Sequence, residues 1–301
     1  MNFKNQAYKD LVQDLISDAF YLESRSNRGK IATIRQYAEI VIRKLIDLPP
    51  NEKVTLGEHE IVKKLKDKTE NDKQIMCSLR KLQTLGNKCT HTQTLGPISD
   101  DDVKSAINAL FNLYAGLFVL YFKKYSFGSN AEVVTAFSIL PPIIRYIVLD
   151  NLYNIDKNNL LVIDKLCLVL LKAFDKNNAL KWINDRKEDL SNTLPYTPEA
   201  IAEIEETYGK DCAEQVVANA PKNMYVCCLE RLNRVSQTLE AQGLLYNNFE
   251  QAKPLYLEKG ILDTNTPENS KFNDIMDFVY LGRQAEDNEK LKNQHLYNTL
   301  M

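Results

Sequence analysis

Apolar residues recur every three or four positions along most of the chain, the spacing that places them on one stripe of an α-helix. Tyr8, Leu11, Val12, Leu15, Ile16, Ala19, Phe20 and Leu22 share such a stripe and predict a helix over 3–24. Ile31, Ile34, Tyr37, Ala38, Val41, Ile42, Leu45 and Ile46 predict a second over 30–48, stopped by Pro49-Pro50. A short helix over 55–68 and another over 71–85 follow, the latter leading into a turn at Gly86–His91. Ser99 and three consecutive acids predict the start of a long helix over 101–125, with a hydroxyl cap and negative charge at the positive end of the helix dipole. Its aromatics Phe111, Tyr114, Phe118, Tyr121, Phe122 and Tyr125 form a stripe that reads as core or dimer interface rather than as a base-stacking surface.

The rear half keeps the helical period. Helices are expected over 131–140, 142–154, 157–174, 178–190, 198–207, 210–219, 223–242 and 272–282. The run Leu160–Phe174 should be the buried centre of this half, with Asp164 and Lys165 exposed or paired and Trp182 packed nearby. Thr197 and Pro198 have the order of a helix cap and first residue. The region 247–272, rich in Asn, Pro and Gly, is expected to be irregular. The fold class is therefore all-α. Phe127–Asn130 is the expected boundary between two domains, 1–126 and 131–301.

Charge adds an asymmetry. The formal net charge of the 301 residues is −2. Residues up to Ser126 carry 20 Lys and Arg against 15 Asp and Glu, and the rest carry 18 against 25. A basic front and an acidic rear suit an anionic partner at the front, or two halves or subunits that attract each other. The six cysteines show no metal-binding spacing and read as reduced thiols of a cytoplasmic protein. The first residues show no apolar signal segment, and no uninterrupted run of about 18 apolar residues is found, so no membrane association is expected. Phosphate loops, dinucleotide fingerprints and zinc-protease motifs are absent, and neither a metal site nor a cofactor is expected.

One stretch, Leu79–His91, carries residue types suited to chemistry. His59 lies among Glu58, Glu60 and lysines and reads as a surface histidine. The lysines at 63, 64, 66 and 68 read as a solvated face, with phosphate contact as the other reading. His91 differs. If Asn87–His91 is a helical turn, the two side chains share a face, with Arg80, Lys81 and Lys88 close in sequence. Metal-free RNA cleavage needs a base, an acid and a cation for the phosphorane charge. His91 suits proton transfer, Asn87 can orient it, and Arg80, Lys81 and Lys88 can meet phosphate. Structural capping by His91 and Asn87, and ligand binding without catalysis, remain open beside this reading.

The order Arg35-x-x-x-Glu39, then Leu79-Arg-x-Leu-x-x-Leu-Gly-Asn-x-x-x-His91, then the acidic start of a long aromatic helix, resembles the HEPN superfamily over residues 1–126. The resemblance implies a helical bundle that dimerises and, in many members, a metal-independent ribonuclease of phage-defence, toxin–antitoxin or RNA-processing systems. It implies RNA as a partner, a homodimer, and His91, Asn87 and Arg80 as the catalytic set. Gln83 stands where that branch has a basic residue. The rival expectation is a non-catalytic member that dimerises and binds a protein partner through the acidic rear half.

Overall fold

The computed structural model describes residues 6–49, 52–92 and 95–292, and every α-helix or shorter helical turn among them follows the all-α expectation, with no strand. In chain order the helices are α1 (Gln6–Ile16), α2 (Asn27–Leu45), α3 (His59–Lys68), α4 (Lys73–Thr90), α5 (Asp100–Lys124), α6 (Ala131–Phe137), α7 (Pro142–Ile155) and α8 (Leu160–Ala173). They continue as α9 (Lys176–Asp185), α10 (Lys187–Ser191), α11 (Pro198–Tyr208), α12 (Lys210–Asn219), α13 (Met224–Gln242), α14 (Phe249–Lys259) and α15 (Pro267–Tyr280). Polar caps set many of the starts. Ser26, Asp72, Asn130, Asn159, Asp175, Thr197, Asn223 and Thr266 each accept a backbone N–H of the following turn. At α5 the cap is a full box, with Ser99 and Asp102 exchanging bonds.

Several boundaries differ from expectation. The first helix ends at Ile16 and continues as a π-helical turn, Ser17–Tyr21. The expected 178–190 helix is two, broken at Arg186. The helix expected to end at Leu85 runs on through Gly86 to Thr90, so Asn87–His91 is its last turn and cap. The region 247–272 is largely helical, because burying Phe249, Ala252, Leu255 and Tyr256 outweighs the helix-breaking tendency of Pro254 inside α14.

The chain forms two compact units. The first comprises residues up to Leu140 together with Phe249–Asp287, and the second Pro141–Asn248 together with residues from Asn288 onward. The division thus falls elsewhere than the expected 126/131 break. Phe127 is buried and packs edge-on against Phe122 and Phe137, so α6 joins the first unit instead of opening a new one.

In the first unit α5 is central, packed by α2, α4 and α15. Its aromatic stripe is core, as expected. Phe118 meets Phe272 at 6.0 Å between ring centroids, Tyr121 meets Phe272 at 5.3 Å, and Tyr114 donates to Tyr37 at 2.7 Å between hydroxyls. Each large apolar side chain buried in this way contributes about 1.5–3 kcal/mol. By length and composition α5 is long and apolar enough to cross a membrane, although Ser105, Asn108 and Asn112 interrupt its apolar run. Within its most apolar window 67% is buried in the protein.

In the second unit α8 is the buried centre, packed by α7, α9 and α13. Trp182 lies edge-on to Tyr153 at 5.3 Å, with the Arg186 guanidinium over its ring. Asp164 is buried and paired with Arg231 at 2.8 Å.

Candidate functional site

The stretch singled out by sequence lies on the outer face and C-terminal end of α4. Leu79, Leu82, Gly86 and Cys89 face inward, while Arg80, Lys81 and His91 are exposed and Asn87 and Lys88 half-buried. Because α4 is unbroken, eleven residues separate Arg80 from His91, about 16 Å along the axis at about 1.5 Å per residue. One phosphate cannot touch both within a single chain. Asn87 and His91 are one turn apart, and the Asn87 carbonyl accepts the His91 backbone N–H at 3.1 Å. The structure therefore brings together His91, Asn87 and Lys88, and leaves Arg80 and Lys81 about three turns from His91.

Two arginines of α2 face the end of α4. Arg28 donates to the carbonyls of Lys88 (2.8 Å) and Cys89 (3.4 Å), closing the negative end of the helix dipole. Arg35 crosses over Gly86: a Cβ there would lie 2.2 Å from its Cδ. The same Arg35 donates to the Thr90 hydroxyl at 3.1 Å, which in turn donates to the Gly86 carbonyl at 3.0 Å. Gly86 is thus a packing glycine, and both arginines hold the helix end in place. Gln83 lies against Gly57, whose φ is +90°; a Cβ there would sit 1.9 Å from the Gln83 amide nitrogen. Lys88 lies 3.7 Å from Asp102. Burial pushes the Glu39 carboxyl up, against the pull of a backbone bond from Leu56 and of Arg35.

All the charges of α4 are nevertheless positive: Lys73, Arg80, Lys81 and Lys88, with no acid in the helix. Lys73, Arg80 and Lys81 are exposed. This acid-free face continues to the exposed His91. As expected, His59 is a surface residue.

A second site escaped the sequence reading. A cavity of about 570 Å³ opens in the first unit between α2, α3, α5 and α15. Lys44, Lys68, Lys124 and Lys271 line it together with Asp47, Tyr121, Tyr125 and leucine, isoleucine and proline side chains. Lys44 is 4% exposed, its ammonium 5.7 Å from the Phe278 ring centroid. Burial pushes it down to about 8, and Lys271 adds to that, against Asp274, Asp47 and Asp277. Lys68 pairs with Asp47 at 3.1 Å, and the Lys124 ammonium lies 4.9 Å over the Tyr125 ring. One signal was in the sequence: Lys44 falls in register with Tyr37 and Val41 on the apolar stripe of α2. A lysine there is costly to bury, and the charges of Asp274, Asp47 and Asp277 offset part of that cost. Lys271 gave no local signal, because α15 reaches α5 from far along the chain.

Among the described residues, no three His, Cys, Asp or Glu side chains converge as a metal-binding group. All six cysteines are free thiols. No protein-family model, no curated protein and no solved structure matches the chain.

Proposed function

We propose that the first unit binds RNA along the outer face of α4 and does not cut it. The observation that carries this reading is the charge of α4, four cations and no acid, with three of the cations exposed. Phosphate contacts by such a face supply affinity without base specificity. The G-N-x-x-x-H resemblance to HEPN proteins supports RNA as the partner and a homodimer as the working form. Cleavage is disfavoured by three placements. Arg80 is too far from His91 to share a phosphate within one chain, while Arg28 and Arg35 hold the end of α4. The member of the superfamily this describes is a non-catalytic one.

The test is titration of labelled single-stranded RNA into the full chain without metal, read by fluorescence anisotropy. Three or four phosphate contacts give a log–log salt slope of about −2 to −3 for single strands. Arg80→Glu with Lys81→Glu should weaken binding more than tenfold, and His91→Ala should leave it within about twofold. Intact RNA after prolonged incubation with either wild type or His91→Ala is the expected result. Cleavage by the wild type that His91→Ala abolishes would replace this reading with the ribonuclease one, two protomers then joining one Arg80 to the other His91. Sedimentation of the full chain reads the dimer.

A second reading concerns the other unit. The α11–α12 pair exposes Glu199, Glu203, Glu205, Glu206, Asp211 and Glu214, and α11 has no buried residue. Such a surface suits a basic protein partner. Loss of a co-purifying partner on neutralising Glu203, Glu205 and Glu206, with RNA binding intact, is the observation that would establish it.

A further inference from the structure

We propose that α11 docks on the outer face of α4 in a second copy of this chain, the two copies exchanging the contact about a two-fold axis. RNA then enters by displacing one α11 while the other contact still holds the pair. That consequence rests on the function proposed above; the docking itself does not. α11 is a helix without a cover. It buries none of its residues, and its main neighbour, α12, buries Ala213 alone. A surface helix ordinarily hides its apolar stripe. Here Ile201 and Ile204 are only half-buried, Tyr208 is 72% exposed, and Val216 and Val217 of α12 are exposed as well.

Charge selects what covers it. α11 carries Glu199, Glu203, Glu205 and Glu206 and no cation, as α4 carries Lys73, Arg80, Lys81 and Lys88 and no acid. Among the described residues, neither these four glutamates nor Lys73, Arg80 and Lys81 make an ion pair. The spacings match too. Glu199, Glu203 and Glu206 follow at steps of four and three, one stripe of the helix. Seven residues separate Glu199 from Glu206, and seven separate Lys73 from Arg80, about 10 Å along either axis. Laid antiparallel, the two helices set Glu206 against Lys73 and Glu199 against Arg80 and Lys81, with Glu203 between them. The same order puts the negative end of the α11 dipole at the positive start of α4. One such exposed pair contributes little, but a two-fold axis doubles the set.

The experiment is sedimentation velocity of the full chain, without RNA, over a concentration series. A dimer is expected whose affinity falls at least tenfold between about 50 and 500 mM salt. A chain with Arg80→Glu and Lys81→Glu should be monomeric, and so should a chain with Glu203→Lys and Glu206→Lys. All four side chains are exposed, so both variants should keep the wild-type melting temperature. Mixed in equal amounts, the two variants should form a heterodimer, because each reversed face meets a reversed partner. Three results would each overturn the proposal: a wild-type chain that stays monomeric at every concentration, which leaves α11 to a foreign basic protein; a dimer that both variants retain, which places the contact elsewhere; or variants that stay monomeric when mixed. Freed of docking, a chain with Glu203→Gln and Glu206→Gln should bind single-stranded RNA at least threefold more tightly than wild type, and an unchanged affinity would overturn the shared face. RNA binding by neither chain would sink the function proposed above, while the mixing result decides the docking by itself.

Discussion

The two units bury arginine and lysine in opposite company. In the first, Arg283 is 4% exposed, yet its guanidinium meets Glu250 at 3.3 Å and lies over the Phe20 and Phe249 rings at 4.2 and 4.8 Å. Glu250 is in turn bonded by the Tyr21 hydroxyl at 2.5 Å. In the second, Arg145 and Lys172 are equally buried, but the charges that reach Lys172 are those of Arg145, Lys165 and Arg231. Asp164, which pairs with Arg231, is still pushed up by its own burial. Burial pushes Lys172 down, and the like charges add to it. A buried cation with a matched acid and aromatic faces ties segments together, whereas one reached mainly by like charges contributes less to its unit.

That contrast predicts unequal costs for similar substitutions. The largest effect is expected for Arg283→Met, which strands the buried Glu250 carboxylate. It should cost about 3–5 kcal/mol in urea unfolding. Adding Glu250→Gln should restore part of the loss, and a double variant no better than the single would break the ion-pair account.

Next is Lys44, a third kind of buried cation, at the floor of the cavity. Its pKa falls from the ordinary lysine value of 10.5 to about 8 on folding. The unfolded chain therefore holds more protons between about pH 8 and 10.5, and stability contributed by this group rises with pH across that window. The gain is at most on the order of 3 kcal/mol. It is read as the difference between wild type and Lys44→Met in unfolding measured at pH 7.5 and 10. An identical pH response in both chains would remove the buried-lysine assignment.

Lys172→Met should cost the second unit less than Arg283→Met costs the first, about 1–2 kcal/mol, because repulsion by Arg145, Lys165 and Arg231 is relieved. A loss as large as that of Arg283→Met would break the contrast. The smallest effect is expected for Lys88→Gln. Its partly exposed pair with Asp102 at 3.7 Å contributes about 0–1 kcal/mol, so its melting temperature should stay within about two degrees of wild type.

How much of this was legible in the sequence depends on the distance over which each feature is encoded. The aromatic stripe of α5, its Ser99 cap and the burial of α8 follow from local spacing, and all were read from it. The end of α4 was not, because Gly86 is a weak helix former by intrinsic preference, and inward packing of Leu82 and Cys89, with Arg35 over the glycine, carries the helix on. The same holds for α14, where a proline argued for irregular chain and tertiary burial decided otherwise. Local spacing also placed Arg80 and His91 in one stretch, and a straight helix then set them apart. The lysine cavity combines residues separated by most of the chain, and only Lys44, out of place on an apolar stripe, pointed to it.

The return of α14 and α15 to the first unit has a consequence for synthesis. The chain leaves that unit at Leu140 and rejoins it at Phe249, after all of α7–α13 has been made. Until then the groove over α5 lacks Phe272 and Phe278, and Glu250 and Arg283 do not yet exist. The amino-terminal helices thus emerge from the ribosome with an apolar helix uncovered, and they wait for the late-arriving α14 and α15 to close it. Non-local closure of this kind is slow and leaves an aggregation-prone intermediate. Nascent chains arrested near residue 200 should accordingly be far more sensitive to protease than the released chain.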